Sequence, residues 1–262
     1  LLEGRGMIER VEEIARAAGE VLKARFGRID PRAIGRKSSA RDLVTEADRE
    51  AERVVVAGIR KAFPGEAILS EEEVREEGGD GPLWHVDPLD GTINFVHGVP
   101  VFAVSIARYV RGKPGMGVVF NPVMGEMFVA EAGKGSTLNG SPIRVSSTEA
   151  LSEALLVTGF PYRRGEIPNN NLDNFVRFFF EARGIRRFGA ASIDLAWVAA
   201  GRFDAYWELH LEPHDVAAGA LLVREAGGKV TDLEGGEGWL FGRNVVASNG
   251  PLHEALRRRV RA

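Results

Sequence analysis

The 262-residue chain contains no cysteine and no glutamine, and only six lysines against 28 arginines. Without cysteine there is neither a disulfide framework nor thiolate chemistry, which fits a reducing compartment. No apolar run is long enough to span a bilayer and no signal-peptide pattern opens the chain, so a soluble cytoplasmic protein is expected. A formal net charge of -3 and a pI near 6.1 give no global basic field, which argues against nucleic acid as a partner. The lack of glutamine and cysteine and the excess of arginine fit a thermophilic source, and the arginine fits a GC-rich genome equally well. The first six residues lack a methionine and are read as a leader, with Met7 as the native start.

What is present is 44% hydrophobic, enough for a sizeable core. Apolar positions recur at helical spacing from Met7 to Phe26, and a second helix is predicted from Thr45 to Phe63, with Thr45 as its cap. Between them Gly35 to Arg41 reads as a polar, mobile loop. Strands are predicted at Ala67–Ser70, Val101–Val110, Pro114–Asn121 and Glu126–Glu131, with Gly133–Gly140 as a turn before Pro142–Val145. Beyond that, Leu155–Thr158, Phe203–Glu208 and Val245–Ser248 read as strands. Asn171–Glu181, Ser192–Ala200, Val216–Ala226 and a C-terminal segment read as helices. The expected organisation is an N-terminal α+β part, residues 1–148, and a C-terminal α/β part, residues 149–262, packed as one unit.

The densest chemistry lies in Asp87-Pro88-Leu89-Asp90-Gly91-Thr92. Strand-like Pro82 to Val86 places Asp87 at a strand end and Asp90 one turn further on, with both acids aimed into one pocket. Close carboxylates repel, and a hard divalent cation such as Mg2+ relieves that repulsion. The N–H groups of Gly91 and Thr92 at a helix start would offer donors to phosphate. The alternative for such a turn alone is a solvated loop whose acids cap backbone N–H groups. Three more acids sit at the edges of regular elements: Asp48, Glu71 and Asp215. His85 is expected on the opposite face of its strand from Asp87, as a structural residue.

These segments resemble the inositol monophosphatase family, within the Mg2+-dependent, lithium-sensitive phosphatases that include fructose-1,6-bisphosphatase. The resemblance is carried by Asp42-Leu43-Val44-Thr45-Glu46-Ala47-Asp48, Ser70-Glu71-Glu72, Trp84 through Gly98, and Glu212-Pro213-His214-Asp215-Val216-Ala217-Ala218-Gly219. It implies a five-layer αβαβα sandwich and hydrolysis of a phosphate monoester by water. By resemblance, Asp87 bridges two metals, Glu71 and the Leu89 carbonyl complete the first site, and Asp90 with Asp215 complete the second. A third, looser Mg2+ sits near Glu71. Thr92 and Glu71 activate the water, and Asp48 orients Thr92. One departure stands: His214 replaces the tryptophan usual before the last metal acid, as a packing residue or as a ligand or proton donor.

Phosphate contacts are expected from Gly91 and Thr92, and by resemblance Gly189-Ala190-Ala191-Ser192 and Glu208 meet the sugar or inositol hydroxyls, with Glu208 either a hydroxyl acceptor or an ordinary exposed acid. The pairs Arg163-Arg164 and Arg186-Arg187 either receive a second phosphate or are solvated surface groups, and Tyr162 is expected to line the same pocket. Gly133-Lys134-Gly135-Ser136-Thr137 lacks the upstream glycine of a nucleotide P-loop. The arginine-rich C-terminus, Arg257 to Arg261, reads as a solvated helix end. The expected activity is an inositol-1-monophosphatase. A dual fructose-1,6-bisphosphatase, a nucleotide 3'-phosphatase and a catalytically silent metal-binding regulator are the alternatives. A homodimer is expected from the family.

Overall fold

The computed structural model describes residues 6–28, 32, 34–37 and 43–262. Asp42 and most of the loop expected between Gly35 and Arg41 lie outside the described residues. Helix α1 spans Met7–Arg25 and buries the stripe Val11, Ile14, Ala15, Ala18 and Leu22. Helix α2, Glu46–Ala62, follows the short hairpin of β1 (Gly35–Arg36) and β2 (Leu43–Val44). Thr45 caps α2 with Asp48 as the reciprocal partner of the capping box. The two helices pack on each other and on one face of a seven-stranded sheet. Each fully buried aliphatic side chain of that interface, such as Leu22 or Ile59, contributes about 1.5–3 kcal/mol.

The sheet runs in sequence order through β3 (Ala67–Ser70), β4 (Pro82–Asp90), β5 (Ala103–Val110), β6 (Lys113–Asn121), β7 (Glu126–Glu131), β8 (Gly135–Leu138) and β9 (Ser141–Ile143). Between β4 and β5 lies the short helix α3, Thr92–Val96. Only β3 and β4 are parallel; the rest is antiparallel. The expected turn at Gly133–Gly140 is therefore wrong in its centre, because Gly135–Leu138 is a strand paired on both sides. The turns lie at its two ends, at Gly133 and Lys134, where Lys134 N–H donates to the Glu131 carbonyl at 2.9 Å, and at Asn139 and Gly140, both at positive φ.

A second sheet has five strands: β10 (Leu155–Thr158), β11 (Gly184–Arg186), β12 (Ala205–Leu209), β13 (Lys229–Thr231) and β14 (Asn244–Ser248), in the order β11-β10-β12-β14-β13. Helices α5 (Ala191–Ala199) and α6 (Pro213–Glu225) fill the space between the sheets. All nine residues of α5 are buried, which explains its lack of a polar face. A Cβ on Gly219 of α6 would stand 2.6 Å from Leu195 Cβ, so this glycine sets how closely α5 and α6 approach. Helix α4 (Leu172–Phe179), the short α7 (Trp239–Gly242) and α8 (His253–Arg257) complete the chain, with α4 and α8 packed on the five-stranded sheet. The layers are thus helix, sheet, helix, sheet, helix, as expected.

One buried histidine gives this fold a pH dependence. His253, at the start of α8, accepts or donates at both ring nitrogens, Nε2 to Thr231 Oγ1 at 2.9 Å and Nδ1 to Ser248 Oγ at 3.1 Å. Burial, aided by Lys229 and Arg257 and opposed by Glu254, lowers it to about 4. The unfolded chain, with an ordinary histidine near 6.5, binds more protons between those limits, so stability falls as pH drops from about 6.5 to about 4. His253→Gln is expected to show a smaller loss of Tm than the parent over that window; equal losses would contradict this assignment.

Candidate active site

The opening acid pair is made by a bulge. On β4 Asp87 pairs with Ser105 and Asp90 with Ala103, so three steps along β4 match two along β5. In a regular strand, residues three apart face opposite sides. The extra residue turns both carboxylates to the same side, and Pro88, which has no N–H to donate, sits within the irregular stretch. The sequence expectation of a helical turn between the two acids is corrected accordingly. His85, two residues before Asp87, shares its face rather than opposing it. It stacks edge-on against Tyr109 at 5.2 Å between ring centroids, buried between the sheets.

Gly91 follows at φ 97°, in the left-handed region. A Cβ there would meet the Val101 carbonyl oxygen at 3.0 Å and Ala190 Cβ at 3.2 Å, so the tight exit from β4 into α3 requires glycine. Because α3 has five residues, its N–H groups rather than a macrodipole are what it offers.

Two other acids enter from helix starts by one shared device. Asp48 and Asp215 each occupy the third position of a capping box. Asp48 Oδ2 accepts from Thr45 N at 2.7 Å and Thr45 Oγ1 at 2.6 Å, leaving Oδ1 to accept the Thr92 hydroxyl at 3.0 Å. Asp215 Oδ2 accepts from Glu212 N at 2.7 Å, with Oδ1 3.7 Å from His214 Nε2. One oxygen fixes the rotamer and the other serves the site. Helix α6 starts at Pro213, three residues before the expected Val216, which puts Asp215 inside its first turn.

A cavity of about 580 Å³ is lined by Glu71, Asp87, Leu89, Asp90, Gly91, Thr92 and Asp215, together with Tyr162, Arg163 and His214. Asp48 stands behind it and acts on it through Thr92. A smaller adjoining cavity of about 90 Å³ is lined by Arg187, Ala191 and Glu208, and shares Asp90, Tyr162 and Asp215 with the first. Arg164 lines neither cavity. Glu208 is buried rather than exposed, and Tyr206 donates its hydroxyl to Oε2 at 2.7 Å.

Ser192, expected with Gly189, Ala190 and Ala191 at the substrate hydroxyls, bonds Asp90, and sequence reasoning passed over the roles of Lys37, His210 and Arg243. Ser192 donates from N at 2.7 Å and from Oγ at 2.5 Å to Asp90 Oδ2. Lys37 bridges Glu71, at 2.8 Å, and Glu72. His210 and Arg243 line the main cavity, both with left-handed backbones. No local signal marks these roles, because they depend on contacts distant in sequence. His214 lies within the carboxylate group: ligand atoms of Glu71, Asp87 and His214 are all within 4.8 Å of one another.

The electrostatics follow from crowding acids together. Burial and the neighbouring charges of Glu71, Asp90 and Asp215 raise Asp87 well above the carboxylate range. Burial and the charges of Glu71 and Asp90 do the same to Asp215. Burial lifts Asp90 to about 6 even though Ser192 bonds oppose it. Burial would raise Glu71 as well, but His214, the Lys37 ammonium and a hydrogen bond from Asp87 outweigh it and hold Glu71 low. Burial, with Asp215 adding to it, pushes Glu208 up to about 8 against its bond from Tyr206. Such a cluster either takes up protons or receives a cation. Its donors are hard carboxylate and carbonyl oxygens, the set that Mg2+ and similar divalent ions prefer, so the residues fit that class of ion.

Comparison with known proteins gives the family and the fold. The family model described as "Inositol monophosphatase family" matches residues 5–262. A protein of Pseudomonas aeruginosa named "Nus factor SuhB" is 50% identical over 249 residues, covering 92% of this chain and 91% of that protein. "Inositol-1-monophosphatase" of Synechocystis is 43% identical over 250 residues, covering 95% and 86% respectively. Among solved structures, the inositol monophosphatase of Anabaena superposes with a TM-score of 0.87 at 41% identity, covering 96% of this chain and 94% of that one. The extragenic suppressor protein suhB of Bartonella henselae gives 0.90 at 41% identity, with 96% of each chain covered. With its fold, its acid cluster and a match over nearly its whole length, the chain belongs to the inositol monophosphatase family.

Proposed function

We propose that the chain is a Mg2+-dependent phosphoric monoester hydrolase, with inositol 1-phosphate as its first substrate. The observation that carries this reading is the β4 bulge, which aims Asp87 and Asp90 into the cavity that Glu71, Thr92 and Asp215 also line. Divalent cations would be held by Asp87 together with Glu71 and the Leu89 carbonyl on one side and with Asp90 and Asp215 on the other, all of which line the cavity. Glu71 also borders a third, looser site. Bound divalent ions supply charge neutralisation to the phosphoryl oxygens and lower the pKa of water.

The chain's own groups do the rest. The Thr92 hydroxyl has two acceptors within reach, Asp48 Oδ1 at 3.0 Å and the Leu89 carbonyl at 3.2 Å; donating its one hydrogen to Asp48 leaves its lone pairs for a water. Glu71, held low and therefore ionised, takes the proton of that water as the water oxygen bonds to phosphorus, and that proton is then available to the alcohol oxygen whose bond to phosphorus breaks. The N–H groups of Gly91 and Thr92 bind phosphate oxygens. Glu208 and Ala191 meet the hydroxyls of the alcohol part. No covalent intermediate is required, since phosphoryl transfer depends on positioning and charge neutralisation.

Fructose 1,6-bisphosphate is the second substrate of this reading, because Arg163 lines the main cavity and Arg187 the smaller one, where a second phosphate needs a cation. Among the described residues no helix is long and apolar enough to cross a membrane. The same reading includes a homodimer, supported by the exposed apolar side chains Leu172, Val176, Phe179 and Phe180 along α4, and light scattering on the purified chain decides it. Side-by-side hydrolysis of inositol 1-phosphate, fructose 1,6-bisphosphate and 3'-phosphoadenosine 5'-phosphate with Mg2+ tests the substrate order. Inositol 1-phosphate is expected to show the highest kcat/KM; a higher value for either of the others would reassign the substrate. A silent regulator is disfavoured by the complete set of Glu71, Asp87, Asp90, Thr92 and Asp215.

A further inference from the structure

Helix α2 carries a second buried acid one turn beyond Asp48. Glu52 lies four residues on, so both side chains leave the same face of the helix. It is 2% exposed. Its carboxylate accepts the Glu73 N–H at 3.0 Å on Oε1 and 3.1 Å on Oε2, and the Val74 N–H stands 3.5 Å from Oε1.

The turn it grips is the one that presents Glu71. The chain leaves β3 at Ser70, and Glu71 N–H donates to the Val86 carbonyl of β4 at 3.0 Å. Within a few residues it doubles back: Ser70 N–H donates to the Val74 carbonyl at 2.7 Å, Glu76 N–H donates to the Ile68 carbonyl at 2.9 Å, and Leu69 bridges Arg75 antiparallel. Glu71 therefore stands at the start of a tight reversal rather than within a ladder, and Glu73, on the outer side of that reversal, is exposed. A turn of this kind keeps one geometry only if something holds its far side. From α2, Arg49 and Arg60 pair with the side chains of Glu73 and Glu76, at 3.7 Å and 2.9 Å, while the buried Glu52 carboxylate is what grips the turn's backbone.

We infer that Glu52 is a positioning residue for the active site, clamping the turn of Glu71 to α2. One helix then sets two parts of the chemistry, Thr92 through Asp48 and Glu71 through Glu52. This inference rests on the proposed role of Glu71 as a cation ligand. Outer partners of ligands of this kind change metal affinity by about 10–100-fold when removed.

Titration calorimetry with Mn2+ on the parent protein, Glu52→Ala and the volume-conserving Glu52→Leu tests it, with thermal unfolding run on the same samples. Both variants are expected to bind the cation held by Glu71 at least tenfold more weakly, with binding at Asp90 and Asp215 retained. Parent-like titration in a folded variant would overturn the inference. Hydrogen exchange on the parent protein gives an answer that does not depend on variants folding. Mn2+ is expected to slow exchange at the amides of Glu73 and Val74, and unchanged rates would overturn the clamp. A parent protein that binds no cation would instead remove the proposed function.

Discussion

Asp90→Asn is expected to lower kcat for phosphate release by about 10³-fold or more while leaving the chain folded. A cation site contributes several kcal/mol of transition-state stabilisation, and a loss of about 4 kcal/mol corresponds to about three powers of ten. Asparagine keeps the size of the side chain and an oxygen that can accept from Ser192 N and Oγ, which hold Asp90 Oδ2 at 2.7 Å and 2.5 Å. It removes the charge that the second cation site requires. The fold is expected to gain rather than lose, because burial and the charge of Glu71 raise Asp90 to about 6, the mark of a carboxylate strained by its surroundings. Without added metal the variant's Tm should match or exceed the parent's, and the increase in Tm on adding Mg2+ should shrink. Full activity in Asp90→Asn would remove the second cation site from the account.

Thr92→Val is the second large effect. Positioned proton-transfer groups contribute about 10²–10⁴-fold, and kcat is expected to fall within that range with KM little changed. Valine fills the same volume, so the contacts of α3 survive. The hydroxyl that donates to Asp48 Oδ1 at 3.0 Å is lost, leaving a buried carboxylate oxygen without that partner at a cost of about 1–3 kcal/mol in stability. Thr92→Ser restores the hydroxyl and is expected to recover most of kcat. If Thr92→Val and Thr92→Ser were equally active, the hydroxyl would have no part in activating water. Measured kcat and KM for the three proteins decide this.

Much of this architecture was legible where local signals are strong. The spacing of Val11, Ile14, Ala18 and Leu22 and the Thr45–Asp48 capping box located α1 and α2 within a residue or two. Short elements were not. Gly135–Leu138 has no apolar run, and it is a strand because β7 and β9 pair with it on both sides. Gly184–Arg186 and Lys229–Thr231, three residues each at the edges of the five-stranded sheet, are too short to show a pattern at all. At α6 the apolar run from Val216 outweighed the better signal, a proline at the first position and Glu212 with Asp215 in a capping box.

The acids of the site were readable as residue types, and Asp87, Asp90, Glu71 and Asp215 do meet in one cavity. The way in which they meet was not readable. A spacing of three fits a helical turn, and only the pairing of β4 with β5 reveals the bulge. Lys37 and Glu52 carry no motif at all, and for Ser192 only the segment, not its bond to Asp90, was readable, since each acquires its role from a partner at least 20 residues away.

Release of inorganic phosphate from inositol 1-phosphate by metal-stripped protein, followed through a Mg2+ titration, tests the central claim most directly. The account predicts no release above background without Mg2+, saturable recovery as Mg2+ is added, and no recovery in Asp90→Asn. Release that is equal with and without Mg2+, or recovery in Asp90→Asn matching the parent, would contradict it.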